Sequence, residues 1–374
     1  MYDFLVVGAG LFGSSFARQM TDMGFSILVI DQRVHVGGNI ADTEIHGIRV
    51  HQYGPHIFHT NDEGVWRFLN RFTEFHPYRH RVLAFHEDRH YPLPVNLETL
   101  SLLFGITTPD KAETYFKDHC FPCETLTSFE DVLKNKVGNE LYRRFFEHYT
   151  FKQWKRSARQ LPPEMGKRVP VRLDSNCEYF TDHYQGIPIS YSRMIHHMLK
   201  GIDVQLETDF FTLGDWRKIA RNLLFTGEID RFFDYRFGPL EYIRLAFEET
   251  YIRDQAWYQS VAVVNYPDPQ YPFTRITEHK YFLPSQTQGT IITREYSSLT
   301  HGIPCYPVPT TDNRMIYEKY RSLLPKNVYI SGRLGGYQYI DMDITVRKAL
   351  DFTQIFKSCA KSLVYRSSLP YNNL

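Results

Sequence analysis

Near its start the chain reads Phe4-Leu5-Val6-Val7-Gly8-Ala9-Gly10-Leu11-Phe12-Gly13, an apolar run that leads directly into a glycine-rich turn. A helical pattern follows the turn, and a second apolar run, Ile27-Leu28-Val29-Ile30, ends at Asp31. A strand, a glycine turn, a helix and a second strand that ends in a carboxylate make up a dinucleotide-binding βαβ unit. The sequence therefore predicts an α/β fold with a Rossmann-like dinucleotide-binding domain.

Three glycines and one acid of this unit have distinct physical roles. Gly8 permits the tight turn, Gly10 lets the backbone approach a pyrophosphate, and Gly13 lets the helix pack closely on the strand. The pyrophosphate lies at the helix N-terminus, where unpaired N–H groups favour anions. Asp31 is placed to accept hydrogen bonds from an adenosine ribose. Its charge would repel a 2′-phosphate, so FAD or NAD is favoured over NADP.

A second glycine pair favours FAD over NAD. Arg33, Gly37 and Gly38 lie just beyond the second strand and predict a further backbone approach to the same diphosphate. The alternative is an ordinary glycine-rich loop. No second dinucleotide fingerprint follows, so reduction by NAD(P)H would need a site without its own Rossmann domain, or a separate external reductant.

Composition and charge exclude several classes of function. With 374 residues the chain is long enough for two or three domains, and its net charge of +1 gives no reason to expect nucleic acid as a partner. An aromatic content of 16% suits a site that stacks planar rings. The first strand begins too early to leave room for a signal peptide, and no apolar run is long enough for a membrane span. We expect a cytoplasmic protein.

The five cysteines predict no disulfide framework, because their number is odd and the chain is large. Cys120 and Cys123 form a CxxC pair, but no second pair or βα context accompanies them. The spacing of the histidines matches no metal site either. No metal is expected.

The domains are predicted to be discontinuous, because a two-stranded unit is not stable alone. Leu223–Gly227 and Val328–Gly332 read as further buried parallel strands. We therefore assign the FAD-binding domain to residues 1–35, about 203–230 and 318–374. A helical substrate domain is predicted at about 80–190, with a mobile loop at 166–182, and an antiparallel sheet domain at about 36–79 and 231–317.

Two helices in this scheme carry terminal signals. Ser128 and Asp131 make a capping box that opens a helix in the substrate domain. The last helix is predicted from about Asp341 to Val364, with Asp341 as its cap. Its N-terminus would stabilise a nearby negative charge.

The chain resembles the UDP-galactopyranose mutases over essentially its whole length. No single motif is decisive, but seven stretches occur in the same order as in that family. They are Tyr53–Thr60, Tyr149–Trp154, Arg168–Arg172, Asp182–Pro188, Phe232–Gly238, Thr274–Ile276 with Glu278–Lys280, and Gly332–Leu334 ahead of Tyr339–Met342.

The resemblance implies a flavoenzyme that interconverts UDP-galactopyranose and UDP-galactofuranose for the synthesis of cell-surface glycans. In this family the N5 atom of reduced FAD is the nucleophile, and the reaction has no net redox change. The substrate partner is then UDP-galactose, and a homodimer is compatible with the family. Consistent with this, no GxSxG, HExxH or Cys/His nucleophile motif is visible in the sequence.

The resemblance also implies the site residues. Arg172 and Arg275 would bind the departing diphosphate, since planar cations suit two adjacent phosphates, and His56 would line the flavin face. Tyr149 and Trp154 would wall the uridine. The implied FAD contacts are Gly8, Gly10, Phe12, Gly13, Asp31, Gln32, Gly38, Asn39, His56, Ile57, Phe210, Phe211, Arg333, Ile340, Asp341, Met342 and Thr345. The implied substrate contacts are His80, Tyr149, Thr150, Trp154, Arg172, Tyr184, Asn265, Arg275, Tyr306 and Tyr339.

Two departures from the family pattern leave the substrate open. His80 stands where asparagine is usual beside the sugar, and Lys155 stands where glycine is usual near the uridine. The alternative is therefore the same mechanism on another nucleotide sugar, such as an N-acetylated UDP-galactose or a deoxyhexose on another nucleotide. An FAD-dependent amine oxidase shares the nucleotide domain but would need an apolar substrate tunnel instead of two arginines.

Overall fold

The computed structural model describes residues 1–120 and 125–357. Cys123 of the CxxC pair lies outside the described residues, as does the end of the predicted C-terminal helix beyond residue 357. Within the described ranges, no helix combines the length and the apolar character that crossing a membrane requires.

The elements are numbered here in chain order. The strands are β1 (Tyr2–Val7), β2 (Ile27–Ile30), β3 (Asp42–Ile45), β4 (Ile48–His51), β5 (Phe58–Thr60), β6 (Phe75–Pro77), β7 (Val82–His86), β8 (Arg89–Leu93), β9 (Tyr184–Pro188), β10 (Asp203–Gln205), β11 (Ala220–Phe225), β12 (Tyr242–Ile252), β13 (Val263–Asn265), β14 (Arg275–Glu278), β15 (Thr290–Ser298), β16 (Ile303–Pro307) and β17 (Val328–Ile330). The α-helices are α1 (Leu11–Asp22), α2 (Glu63–Asn70), α3 (Leu97–Phe104), α4 (Pro109–His119), α5 (Phe129–Leu141), α6 (His148–Trp154), α7 (Tyr191–Met198), α8 (Ile229–Phe232), α9 (Thr311–Arg321), α10 (Gly332–Gly335) and α11 (Met342–Gln354).

A parallel five-stranded sheet carries the nucleotide-binding unit, in the order β10-β2-β1-β11-β17. The strands predicted at 223–227 and 328–332 are both present in it, as β11 and β17. Helices α1 and α11 cover one face, where Phe4 meets Phe16 and Phe356 at centroid distances of 5.3 and 5.1 Å. A two-stranded unit is not stable by itself, and distant segments of the chain supply the strands that complete it.

Gly13 sets how closely α1 approaches β1. A Cβ atom on Gly13 would lie 2.1 Å from the carbonyl oxygen of Gly8, which itself has a left-handed φ of 109°. Neither position accommodates another residue without a backbone shift. The packing role predicted for Gly13 is therefore seen directly.

A seven-stranded sheet forms the second layer, in the order β16-β12-β15-β14-β13-β7-β8. It differs from the predicted antiparallel sheet domain, because β7 pairs parallel with β13 and the β7–β8 hairpin joins the sheet edge. Residues 82–93 lie in the segment predicted to be helical, and the strands of the predicted sheet segment 36–79 pair instead in two smaller sheets, β3-β4 and β5-β9-β6. The hairpin belongs to the sheet because its alternate residues Val82, Ala84, Tyr91 and Leu93 are buried in the same core as the helices.

The helical layer packs on this sheet. Helix α5 begins at Ser128 with the predicted capping box, in which Ser128 N–H donates to Asp131 Oδ2 (2.9 Å) and Asp131 N–H donates to Ser128 Oγ (3.2 Å). Gly138, with φ 77°, kinks the helix near its end. A π-helical turn, Tyr142–Glu147, then leads into α6, whose side chains face the sheet at the candidate site.

Candidate active site

An elongated cleft of about 370 Å³ runs along the carboxyl ends of β1, β2 and β11. This is the edge at which parallel α/β sheets bind their ligands. Most of the predicted FAD contacts line it: Gly8, Gly10, Phe12, Gly13, Asp31, Gln32, Gly38, Asn39, His56, Phe210, Phe211, Arg333, Met342 and Thr345.

Three predicted FAD contacts do not line the cleft. Ile57 is buried against the core of the helical layer, and Ile340 contributes its carbonyl oxygen to Arg333 Nη2 at 2.9 Å. Asp341 occupies the N-cap position of α11, but its carboxylate makes no cap hydrogen bond. Instead it pairs with Arg168 at 2.5 Å. The predicted capping role of the Asp341 side chain is therefore corrected: the guanidinium outcompetes the helix N–H groups for the carboxylate.

The middle of the cleft fits a dinucleotide diphosphate. Gly10 and Gly38 approach each other so closely that a Cβ on Gly38 would lie 2.9 Å from Gly10 Cα, and no side chain caps the first turn of α1. The Asp31 carboxylate accepts N–H groups from Ala9 (2.8 Å) and Arg33 (2.9 Å). Arg33 Nη1 is buried and has no hydrogen-bond partner among residues 1–120 and 125–357. The close backbone approach of Gly10 and Gly38 and the unpaired guanidinium N–H of Arg33 together provide space and hydrogen-bond donors that suit a phosphate.

The opposite end of the cleft has aromatic walls. Phe210 and Phe211 stand edge to face at 5.3 Å, and the Arg231 guanidinium lies 4.3 Å from the centroid of Phe211. Asp209 holds Arg231 in place at 3.0 Å. The family resemblance implies the two phenylalanines but not Arg231, because no local motif distinguishes Arg231 from a surface arginine. A planar base fits between such walls.

His56 lies where the cleft meets the second layer. Its Nδ1 is 2.8 Å from the Gly54 carbonyl oxygen, which can only accept, so Nδ1 carries the proton and Nε2 is left as an acceptor. Burial, reinforced by the positive charge of Arg333, lowers the pKa of His56 to about 3. The imidazole is therefore neutral at physiological pH.

Beyond His56, aromatic rings predicted to contact substrate form one cluster. Tyr339 contacts Tyr306 and Trp154, with ring centroids 4.9 and 5.4 Å apart. Arg333 lies over the Tyr306 ring at 5.7 Å, and the Arg168 guanidinium stacks on Tyr339 at 4.0 Å. Arg168 is not among the predicted site residues, although it belongs to the same Arg-Val-Pro-Val-Arg stretch as Arg172.

Arg275 forms the cationic part of this pocket. Its Nε and Nη2 donate to Glu295 Oε2 at 2.9 and 2.7 Å. Asn265 pairs with Arg275 across the sheet, and the Tyr149 hydroxyl donates to Asn265 Oδ1 at 3.4 Å. The fold thus brings together three predicted substrate residues, Tyr149, Asn265 and Arg275. Glu295, which was not predicted, orients the arginine.

His80 is 5% exposed. Its ring stacks on Phe180 at 5.9 Å, and its Nδ1 is 3.3 Å from the Tyr78 hydroxyl. Burial, with a further contribution from Arg275, lowers the pKa of His80 to about 3. The group is a neutral imidazole in an aromatic surrounding.

Three predicted substrate residues make other contacts. Arg172 donates to the backbone carbonyls of Asn176 (3.0 Å) and Glu178, within its own loop, and not to the cluster around Arg275. Tyr184 stacks on Trp66 at 5.2 Å. Thr150 is buried within α6. The substrate roles of these three residues remain predictions.

The fold and the site together define an α/β enzyme in which a dinucleotide cleft adjoins a pocket of arginines and aromatic rings. Comparison with known proteins agrees. The family model described as UDP-galactopyranose mutase matches residues 144–339, and one described as an NAD(P)-binding Rossmann-like domain matches residues 6–72. The chain belongs to the UDP-galactopyranose mutase family, a flavin-dependent group of isomerases.

Individual relatives cover nearly the whole chain. A probable UDP-galactopyranose mutase of Klebsiella pneumoniae is 39% identical over 95% of both chains. The dTDP-fucopyranose mutase of Escherichia coli is 35% identical over 95% of this chain and 98% of its own length. A solved structure of reduced UDP-galactopyranose mutase superposes with a TM-score of 0.76 at 13% identity, over 95% of this chain and 96% of the other, and so supports the fold.

Proposed function

We propose that this protein interconverts UDP-galactopyranose and UDP-galactofuranose with reduced FAD bound in the cleft. The observation that carries the proposal is the position of His56 and Arg333. Both line the dinucleotide cleft, and Arg333 also lies over Tyr306 of the aromatic cluster. A flavin ring beside His56 would therefore be next to a pocket that suits a nucleotide sugar.

Arg275 is proposed to bind the diphosphate that leaves the sugar. Glu295 occupies its Nε and Nη2, and no described residue accepts a hydrogen bond from its Nη1. Its side chain is 19% exposed, so the guanidinium is largely removed from water, where its attraction for an anion is stronger. Arg172, on segment 166–182, is proposed as the second cation, since its partners are carbonyls that an incoming phosphate can replace.

The aromatic residues are proposed to hold the nucleoside. Tyr149 and Trp154 lie on α6 next to Arg275 and Tyr339, so a uracil ring bound there would be within reach of the diphosphate site. Reduced FAD, when bound, supplies the nucleophile for the anomeric carbon, and no Ser, Cys or Lys of the chain is needed for that step. The protein then orients the sugar and retains UDP until it is needed again.

His56 is proposed to present a lone pair to the flavin face. With Nδ1–H bound to the Gly54 carbonyl, only Nε2 is available, and it can accept a hydrogen bond but not donate one. A Cβ on Gly54 would lie 3.1 Å from Glu295 Oε2, so this glycine lets the His56 loop approach the Arg275–Glu295 pair.

A second candidate substrate is dTDP-fucopyranose. The 35% identical relative from Escherichia coli acts on this sugar, which lacks the 6-hydroxyl of galactose. His80, in contact with Phe180, gives the pocket an aromatic wall that would tolerate a methyl group in place of a hydroxymethyl group.

A product analysis separates the candidates. Purified protein, with and without dithionite, is incubated with UDP-galactopyranose, an N-acetylated UDP-galactose and dTDP-fucopyranose, and the products are resolved by chromatography. We expect a furanose product from UDP-galactopyranose in the reduced sample alone. Conversion of dTDP-fucopyranose only would establish the second candidate, and oxygen consumption without any furanose would indicate an oxidase.

We also propose a cellular location, an oligomeric state and an electron donor for this protein. We infer a cytoplasmic homodimer whose flavin is reduced by NAD(P)H or another external reductant. Light scattering of the purified protein tests the dimer, and anaerobic bleaching of the flavin absorbance by NADH or NADPH tests the electron donor.

A further inference from the structure

Lys152, on α6, makes an unusual set of hydrogen bonds. Its Nζ lies within hydrogen-bond distance of four backbone carbonyl oxygens, those of Tyr266, Asp268 (2.9 Å), Tyr271 (3.1 Å) and Phe273 (3.2 Å). An ammonium group has only three N–H donors, so the four acceptors share them. One side chain thus organises a whole loop.

The loop at 266–273 has backbone hydrogen bonds of its own, from Tyr266 N–H to the Thr274 carbonyl (2.9 Å) and from Tyr271 N–H to the Asp268 carbonyl (3.3 Å), and Lys152 adds a charged donor to them. The loop contains Pro267, Pro269 and Pro272, which have no N–H, so its carbonyl groups cannot all be satisfied within the loop. A half-buried carbonyl group without a hydrogen-bond donor destabilises the folded state. A charged donor such as an ammonium group makes the strongest hydrogen bond to it. A second support comes from the Asp268 carboxylate, which His86 Nδ1 contacts from the β7–β8 hairpin.

The residues at the two ends of this loop are site residues. Asn265 is the last residue of β13, Arg275 is the first of β14, and the two pair directly across the sheet. Helix α6, which carries Lys152, also carries Tyr149 and Trp154. The ammonium therefore joins the helix that would hold the nucleoside to the loop that connects Asn265 with the strand of Arg275.

We propose that Lys152 is a positioning residue, which sets the spacing between Tyr149 and Arg275 by fixing the loop at 266–273. This inference rests on the proposed function, because it assumes that a nucleotide diphosphate spans these two residues. Lys152 itself contacts only backbone carbonyls and is not a catalytic residue. Its loss would shift Arg275 relative to α6, and shifts of about 1 Å are enough to cost binding and rate strongly.

Lys280 provides a matched control. Its Nζ also donates to backbone carbonyls, those of Ala256 (3.2 Å), Thr287 and Gly289 (3.2 Å), in the loops after β12 and before β15 of the seven-stranded sheet. None of these acceptors adjoins Asn265 or Arg275. A purely structural role for such lysines would make the two positions equivalent.

The test compares Lys152→Met, Lys152→Arg and Lys280→Met as FAD-loaded proteins. Binding of UDP and of dTDP is measured by titration calorimetry, and thermal unfolding is measured in parallel. We expect Lys152→Met to weaken nucleotide binding about tenfold, Lys152→Arg to restore most of it, and Lys280→Met to lower the melting temperature without weakening binding. Lys152→Gln carries the same expectation if the methionine variant does not fold.

The outcomes distinguish this inference from the proposed function. If the wild-type protein binds UDP or dTDP and Lys152→Met binds it equally well, the positioning role is wrong and the proposed function stands. Equal losses in Lys152→Met and Lys280→Met would also reject the positioning role. If the wild-type protein binds neither nucleotide, the proposed function fails and the inference fails with it.

Discussion

Arg275 and Glu295 face each other directly across β14 and β15, and two N–H groups of the guanidinium converge on one oxygen of the carboxylate, Oε2. Glu295 is 2% exposed, so the pair is buried and its geometry is constrained on both sides. Because Nε and Nη2 are engaged, the remaining edge of the guanidinium is oriented before any ligand arrives. This orientation makes Arg275 the best-defined cation of the pocket.

Removing Arg275 is expected to abolish most turnover while FAD remains bound, because this proposed diphosphate ligand does not line the dinucleotide cleft. A single Arg275→Ala change would also leave the Glu295 charge buried and unpaired, at a cost of about 3–5 kcal/mol. The double variant Arg275→Ala with Glu295→Gln avoids that cost. We expect it to be folded and yellow, with turnover lowered about 100-fold or more.

Arg275→Lys serves as the charge-conserving control. It should lose at least about tenfold in turnover, because an ammonium cannot reproduce the planar fork. A near-normal rate in the folded double variant would remove Arg275 from the mechanism.

The second cation is tested by comparing Arg172→Ala with Arg168→Ala. Arg168 is already paired with Asp341 and stacked on Tyr339, whereas Arg172 is bound only to carbonyls of its own loop. We therefore expect Arg172→Ala to lose most steady-state turnover with FAD retained, and Arg168→Ala to lose less. The reverse order would make Arg168 the second phosphate ligand.

Two glycine substitutions separate cofactor binding from folding. A Cβ on Gly10 would lie 3.8 Å from its nearest neighbour, Gly38 Cα, and the φ of Gly10, −79°, suits alanine. Gly10→Ala should therefore fold normally as apoprotein. It should nevertheless bind FAD at least about tenfold more weakly, because the methyl group occupies the approach of the pyrophosphate. Gly13→Ala, with its 2.1 Å contact, should be destabilised even without FAD. Flavin titration and urea denaturation of the apoproteins measure both effects; equal stability of the two variants would contradict this account.

The buried histidines predict a loss of stability in acid. Burial lowers the pKa of His56, His80 and His279 to about 3, with nearby arginines contributing for the first two. Between that pH and about 6.5 the unfolded chain binds protons that the folded chain does not, so stability is complete above 6.5 and falls as the pH is lowered. Each histidine should contribute about 1.4 kcal/mol per pH unit to this slope.

Urea denaturation at pH 7.5, 6.0 and 5.0 measures the slope. His80→Asn should reduce the slope of unfolding free energy against pH by the contribution of one histidine. His196→Asn, at an exposed position of α7, is the matched control. A free energy of unfolding that is the same at pH 7.5 and 5.0 would show that these rings do bind protons in the folded state.

Much of the fold was predictable because its signals are local. The glycine turn after β1, the acid after β2 and the capping box at Ser128 each involve residues close in sequence, and the structure contains all three. The edge position of the β7–β8 hairpin was not predictable in the same way. Its place depends on the partner strand β13, which lies about 180 residues further along the chain.

The same distinction between local signals and long-range packing applies to the candidate site. Sequence alone was sufficient for the cleft at the ends of β1 and β2, since backbone turns and glycines build it, and for Arg275 and the clustered rings of Trp154, Tyr306 and Tyr339, but not for Arg168 or Arg231. It was insufficient for the partners of those side chains. Glu295 meets Arg275 only because β14 and β15 pair in one register, and Asp341 turns from its helix to Arg168 only because the loop before it packs there. Side-chain pairing across elements depends on strand register and packing, which are properties of the whole chain.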